Sequence, residues 1–362
     1  MTETFSVTKL KTATSCPRRF HLRYGLHVAP TSEEVQPKHF GSAFHFIVAE
    51  VLRWLVQQDY ELGDVSLETM CSTAAETWIM ENGTGNLIIE GFAGDIVIQD
   101  QLISVANRAA QVAARALEYM ELGKRWKVFV DDDGPVVERQ LTVQVGEDTD
   151  LTGFIDLVLV DNDGAVLLVD WKTTTRPKSI DDYMLDMQLP IYAVLWALNN
   201  PTSFPDKIGI IQVRDALPVR PSINKNGSVS KSKSIITDWD TYAAVIDELG
   251  LDRKDYNDMR LFLETEKGPE YWFNEFWVPF TSATIQAYVT NMLQAVHYIQ
   301  TLQNEYGTED LWPGAFGWAC RGCAFRQLCL TNMQDGMPIR QIVEESENFY
   351  FYDREDDTSD ND

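Results

Sequence analysis

Residues 153–173 read GFIDLVLVDNDGAVLLVDWKT, and this stretch decides the fold. Val166 to Val169 is an uninterrupted apolar run of strand length, the pattern of a strand covered on both faces. Phe154 to Val160 is a second apolar run, and Asp161-Asn162-Asp163-Gly164 between them is turn chemistry. Together they predict a β-hairpin. Folding it about the turn brings Asp156 toward Asp170. Asp170 and Lys172, two apart on one strand, share a face. Two carboxylates and an ammonium then converge at one end of a small sheet. Carboxylate oxygens suit a hard divalent cation, and a neighbouring lysine suits negative charge developing on a phosphate. An exposed Asp/Lys ion pair worth little is the plainer reading of the same residues, so the remainder of the chain has to decide.

At 362 residues, 44% hydrophobic and 11% aromatic, the chain has material for one large domain or two ordinary ones with a substantial core. No apolar run reaches membrane-spanning length, and Met1-Thr2-Glu3-Thr4 does not open a signal peptide, so a soluble, cytoplasmic protein is expected. The net charge is −25, of which nine acids and one arginine between residues 344 and 362 account for −8. A general basic field for nucleic acid is thereby excluded. Any such contact has to come from local basic clusters and bound metal.

Cysteine usage is uneven. Cys320-x2-Cys323-x5-Cys329 forms a tight group, Cys16 stands alone before Pro17-Arg18-Arg19, and Cys71 falls in an expected helix. In a cytosolic chain such a group points to metal or redox chemistry rather than disulfides. Four thiolates hold either zinc or an iron–sulfur cluster, and spacing alone leaves both open. Cys71 reads as a buried small hydrophobe.

Taken together, these residues resemble RecB-like nucleases of the PD-(D/E)XK superfamily, and within it the iron–sulfur branch of the AddB nuclease domain, the CRISPR-adaptation exonucleases and phage-type exonucleases. Gly41-Ser42-Ala43-Phe44-His45 is similar to that family's Gly-x3-His on an N-terminal helix. Gly153 to Asp156 resembles its first metal-binding Asp, and Asp170-Trp171-Lys172-Thr173 its Asp-x-Lys core. Gln188 to Tyr192 resembles its Gln-x3-Tyr helix, and Cys16 with Cys320, Cys323 and Cys329 its 4Fe-4S ligands. The resemblance runs from Cys16 to Cys329. It implies an α/β, restriction-endonuclease-like core, a central mixed sheet flanked by helices, with an N-terminal helical region and a cluster joining the two chain ends.

It also implies a metal-dependent DNA exonuclease of recombination, repair or replication, in a bacterial or phage-infected cell. Mg²⁺ or Mn²⁺ would sit on His45, Asp156, Asp170 and the Trp171 carbonyl. Lys172 would serve the reacting phosphate, Gln188 would orient Lys172 or that phosphate, and Tyr192 would support the DNA strand. Single-stranded or end-containing DNA is the implied partner, with a recombinase, a single-strand-binding protein or a helicase as protein partners. No Gly-x4-Gly-Lys-Ser/Thr loop is present, so ATP-driven unwinding would belong to a partner. The alternative is a non-catalytic DNA-end or protein-binding module on the same fold.

The rest of the chain fits one nuclease domain over 1–342. It is expected to comprise a helical insert over about 28–130, a catalytic core over about 135–300, and the cysteine group at 316–330. Residues 6–27 read as one helix and 40–58 as another, with Phe44, Ile47, Val48, Val51, Leu52 and Leu55 on its apolar stripe. Val136 to Val143 reads as the first strand. Within it, Glu138 resembles the acidic residue that often opens the family core, and pairing with Arg139 is its alternative. Pro190 costs about 3 kcal/mol inside a helix, so the Gln-x3-Tyr helix is expected to start near Asp186 or to be kinked. Arg214, Arg220, Lys225, Lys231 and Lys233 lie in a Gly- and Ser-rich run that suits phosphate contacts or simple solvation. Residues 343–362 read as a disordered acidic tail.

Overall fold

The computed structural model describes residues 3–31, 35–83, 94–176, 178–184, 188–201, 204–279, 281–307, 312–315 and 317–352. The chain opens with strand β1 (Glu3–Ser6), whose last hydroxyl accepts from Lys9 N at 3.1 Å and so caps helix α1 (Val7–Ser15). One helix over 6–27 is corrected here. Cys16 leaves α1 in extended conformation. Pro17, which has no N–H to continue the ladder, starts a short helix α2 (Pro17–Phe20) that runs into a π turn at His21–Gly25.

Strand β2 (Val28–Pro30) leads into the helical insert, α3 (Val35–Gln57), α4 (Leu67–Gly83) and α5 (Gly94–Met120). Strand β3 (Trp126–Val128) and the short pair β4 (Val130–Asp131) and β5 (Gly134–Pro135) precede the long strands β6 (Val137–Gly146), β7 (Thr149–Asp161) and β8 (Val166–Thr174). Helices α6 (Ile180–Met184) and α7 (Gln188–Asn199) cross to β9 (Lys207–Arg214), parallel to β8. Helices α8 (Trp239–Glu248), α9 (Asn257–Glu266) and α10 (Pro269–Trp272) come before β10 (Phe273–Pro279). Helices α11 (Ser282–Tyr306), α12 (Arg326–Asp335) and α13 (Ile339–Glu345) and strand β11 (Phe349–Phe351) follow.

The predicted hairpin is the middle of a seven-stranded mixed sheet. Its turn closes as an Asx turn: the Asp161 carboxylate accepts from Asp163 N and Ala165 N, both at 2.9 Å, and Gly164 takes φ +84°. Strand β7 carries β6 and β3 along one side. On the other side β1 pairs only as far as Thr152, and β8 pairs only from Leu157 onward. Gly153 to Asp156 therefore lies where the ladder is split, and Asp156 sits at the lip of that opening.

Alternation along β7 also slips there. Leu151, Ile155 and Val158 pack into one core, Leu157 and Leu159 into the other. Strand β6 slips in the same way. Val137 faces the Leu157 side, Leu141 and Val143 the opposite side, and Glu138 between them takes φ +45°. Such bulge-like slips re-aim side chains.

Helices α3, α4 and α5 cover one face of the sheet, packing Phe44, Trp78 and Met120 with Val169, Trp171 and Val213. Helices α1, α7 and α11 cover the other, packing Leu10, Leu195 and Ile299 with Val158, Leu168 and Ile210. Covering on both faces explains the unbroken apolar runs. At Gly153 both α7 and α1 press close to the strand. A Cβ there would meet Leu195 Cδ1 and Tyr192 Cε1 at 2.9 Å and Val7 Cγ2 at 3.2 Å. Gly153→Val is therefore expected to lower stability by about 1–3 kcal/mol. Urea denaturation would measure it, and an unchanged midpoint would disprove the close packing.

A satellite core joins the two ends of the chain: Leu22 and Val28 pack with Phe325, Leu328, Ile339 and Phe349, with Cys323 and Cys329 against them. The expected tail boundary at 343 is corrected by this packing. Strand β11 pairs antiparallel with β2, and Phe349 is buried, because the aromatic run supplies apolar surface that the acids beside it do not. The last acids, 353–362, lie outside the described residues.

Candidate active site

Register sets one row of acids across three strands. Val137 pairs with Leu157 and Arg139 with Ile155, so Glu138 stands opposite Asp156. Leu157 pairs with Val169, so the next position along sets Asp156 opposite Asp170. With the ladder open at that point, the Trp171 backbone N–H donates to Asp156 Oδ2 at 2.7 Å. That bond fixes the carboxylate.

His45 approaches from α3. Phe44 beside it packs edge-on against the Trp171 ring, centroids 5.6 Å apart, which seats the helix over the sheet end. His45 Nδ1 lies 2.8 Å from Glu138 Oε1 and 3.7 Å from Asp156 Oδ2. The ligand atoms of His45, Glu138 and Asp156 all lie within 4.8 Å of one another. Glu138 was the weakest of the sequence candidates, and its alternative fails, since Arg139 pairs with Asp131 instead. Its left-handed backbone is a costly conformation for a non-glycine residue, of the kind found at functional sites.

Asp170 belongs to a second group. It is 1% exposed, and Lys172 Nζ donates to its Oδ1 at 3.1 Å and lies 2.9 Å from its Oδ2. That Oδ2 receives no properly directed hydrogen bond. Lys172 also donates to Gln188 Oε1 at 3.2 Å, and Gln188 Nε2 donates to the Tyr192 hydroxyl at 2.9 Å. Pro190 falls in the first turn of α7, where proline is tolerated. The expected start at Asp186 lies outside the described residues. Tyr192 is 7% exposed. Its hydroxyl accepts from Gln188, and Gln188 accepts from Lys172. Lys11 on α1, which no sequence signal marks, reaches Gln188 Oε1 at 3.5 Å.

The electrostatics suit a bound cation. Burial pushes the Asp156 carboxyl up to about 8, with the His45 charge opposing and Asp170 adding to the rise. Burial pulls His45 down, but the Asp156 charge and the bond to Glu138 outweigh it and leave the imidazole at about 9. This Asp156–His45 pair thus still holds protons near neutral pH. Two carboxylates, an imidazole and the under-bonded Asp170 oxygen are a donor set suited to a divalent ion.

The other candidates divide. Burial pushes the Cys329 thiol up, Arg18 opposes that rise, and the Cys323 and Cys16 charges add to it. Cys71 is fully buried, and burial pushes its thiol up to about 12, as a core residue. In the basic loop, Arg220 is paired with Glu248 and Lys231 with Asp258 at 2.8 Å, while Arg214 lies 4.1 Å over the Tyr271 ring and Lys233 5.0 Å over Phe262. Lys225 is exposed. Much of that loop's positive charge is already engaged. No described helix is long and apolar enough to cross a membrane.

Comparison with known proteins bears on this geometry. The family model of the PD-(D/E)XK nuclease superfamily matches residues 4–330. An ATP-dependent helicase/deoxyribonuclease subunit of Acetivibrio thermocellus is 23% identical over 249 residues, covering 63% of this chain and 21% of that protein. The protein of the same name from Thermoanaerobacter pseudethanolicus is 22% identical over 274 residues, covering 73% of this chain and 23% of that protein. The chain thus spans less than a quarter of the length of these curated relatives. A solved structure of a candidate exonuclease from Eubacterium rectale aligns with TM-score 0.40 at 9% identity, over 92% of this chain and 94% of that one.

Proposed function

The chain belongs to the PD-(D/E)XK nuclease superfamily, and from that premise we propose that it is a metal-dependent deoxyribonuclease acting at DNA ends. The observation that carries this reading is the meeting, at one split in the sheet, of the His45–Glu138–Asp156 donor set with the Asp170–Lys172–Gln188 chain. His45, Asp156 and Asp170 would bind Mg²⁺ or Mn²⁺, with Glu138 added to the set and the Trp171 carbonyl as a further oxygen. When bound, such an ion supplies Lewis-acid polarisation of the phosphate and an activated water at neutral pH. Lys172 would neutralise charge developing on the phosphate. Gln188 would hold Lys172 in line, and Tyr192 would hold Gln188. Lys225 and Arg214 remain candidates for phosphate contact farther along the strand. The relatives' name joins helicase and deoxyribonuclease, which favours a helicase among the possible partners.

Cys16, Cys320, Cys323 and Cys329 would hold a second centre, a 4Fe-4S cluster or, alternatively, zinc. The donor chemistry fits. Cys323 and Cys329 lie against the satellite core and the Cys16 charge acts on Cys329, which supports this reading. Its role would be to clamp those ends around the nuclease core. A brown protein with broad visible absorbance means the cluster, and a colourless one means zinc.

The test is anaerobic purification followed by incubation with end-labelled single- and double-stranded DNA, with and without Mn²⁺. Metal-dependent shortening from the ends is expected. Intact DNA after incubation with metal-loaded protein would favour a binding module on a nuclease fold. Nicking of closed circles would favour an endonuclease.

A further inference from the structure

Arg18 is 3% exposed. A guanidinium that deep costs several kcal/mol unless an anion compensates it. Among the described residues no Asp or Glu pairs with it. Its Nη2 donates to Asn332 Oδ1, its side chain also hydrogen-bonds Cys329, and its Nε is buried with no acceptor. Asn332 is itself buried and is oriented by its own bond, Nδ2 donating to Met337 O at 2.8 Å. The amide oxygen is thus held toward Arg18, and Arg18 toward sulfur. The backbone is tied too, with Arg18 N donating to Pro313 O at 2.9 Å.

Among the described residues, the group recorded in contact with this cation that can carry negative charge is a thiol, Cys329, with Cys16 two positions before Arg18 in the chain. With Cys16, Cys323 and Cys329 protonated, Arg18 is left unmatched. Four thiolates on one divalent metal, or on an oxidised cubane cluster, make a dianion, and a buried cation in hydrogen-bond contact with one of its sulfurs is then favourable. We propose that Arg18 is the buried counter-charge of the centre held by Cys16, Cys320, Cys323 and Cys329, with Asn332 fastening it to Cys329. This rests on the reading of those cysteines as one centre. Arg18 is thus a positioning residue, coupled in free energy to the metal it never ligates.

Coupling of this kind is measured by a thermodynamic cycle. Full-length wild type, Arg18→Gln and Arg18→Lys are melted as purified anaerobically and again after chelator treatment, and release of metal to the chelator is timed. Stripping is expected to lower the melting temperature of wild type and Arg18→Lys more than that of Arg18→Gln, since only the charged side chains are left unmatched. Arg18→Gln is expected to release metal about tenfold faster, corresponding to about 1.4 kcal/mol of lost coupling. Equal melting shifts and equal release rates in wild type and Arg18→Gln would overturn the proposal, and so would an Arg18→Lys that behaves as Arg18→Gln does. Should Arg18→Gln not fold, Asn332→Ala unfastens the guanidinium without removing its charge. Release several-fold faster than wild type then supports the proposal, and an unchanged rate refutes it. A wild type purified with neither iron nor zinc would sink the metal-centre reading itself, an outcome separate from the others.

Discussion

Lys172→Ala is expected to slow DNA cleavage by about 10²–10³-fold, the usual cost of removing one group aimed at developing negative charge. Mn²⁺ should still bind. Lys172 lies on the Asp170 side of the site, away from the His45–Glu138–Asp156 set, so the loss should fall on the chemical step. Single-turnover cleavage at saturating Mn²⁺ isolates that step from DNA binding. The experiment belongs at saturating metal because Asp170 is buried. Without Lys172 and without a cation its carboxylate would be left nearly alone, and the metal-free variant should melt below wild type. Lys172→Arg tests geometry against charge. Gln188 accepts from Lys172 and donates to Tyr192, a chain fitted to a single ammonium, and a planar guanidinium does not reproduce it. Gln188→Met should fall between, with a loss of about tenfold. Cleavage by Lys172→Ala at the wild-type rate would remove Lys172 from the mechanism and leave it an ion-pair partner of Asp170.

The hairpin, the acids and the lysine were legible because each depends on a local pattern. Turn chemistry at 161–164 fixes the register, and register decides which side chains face one another. The Gln-x3-Tyr contact follows from helical spacing alone. Glu138 was legible only weakly, because its role depends on a slip of alternation shared by β6 and β7, and a slip leaves no mark in composition. The break at Pro17 was written in the sequence, since proline has no N–H to continue a helical ladder. Lys11 was invisible. It reaches Gln188 from a helix 177 positions away in the chain, and only tertiary packing brings the two together. The aromatic run at 349–351 was hidden by the acids around it, which set the regional average while the rings set the local fold.

Metal affinity is expected to rise with pH and to level off above about 9. The sign follows from the metal-free site. His45 is raised to about 9 and Asp156 to about 8, so at neutral pH the coupled pair still carries protons. A ligating imidazole must be neutral and a ligating carboxylate ionised, so a divalent ion must displace those protons. Each proton displaced gives about a tenfold gain in affinity per pH unit below the group's own pKa, and none above it. Calorimetric titration with Mn²⁺ in buffers of different ionisation heat should therefore register proton release near pH 7 that fades by pH 9.5. Asp156→Asn removes the group shared by His45, by the Trp171 N–H and by the opposing Glu138. Outer partners of a metal site are worth about 10–100-fold in affinity, and the central ligand should be worth at least the upper figure. The same substitution leaves a neutral amide where burial already disfavours charge, so the metal-free variant should be no less stable than wild type even as its metal binding collapses. Undiminished Mn²⁺ affinity in Asp156→Asn, or binding indifferent to pH between 6.5 and 9, would move the metal to the Asp170 side of the split. The protons at His45 would then be structural rather than place-holders for a cation.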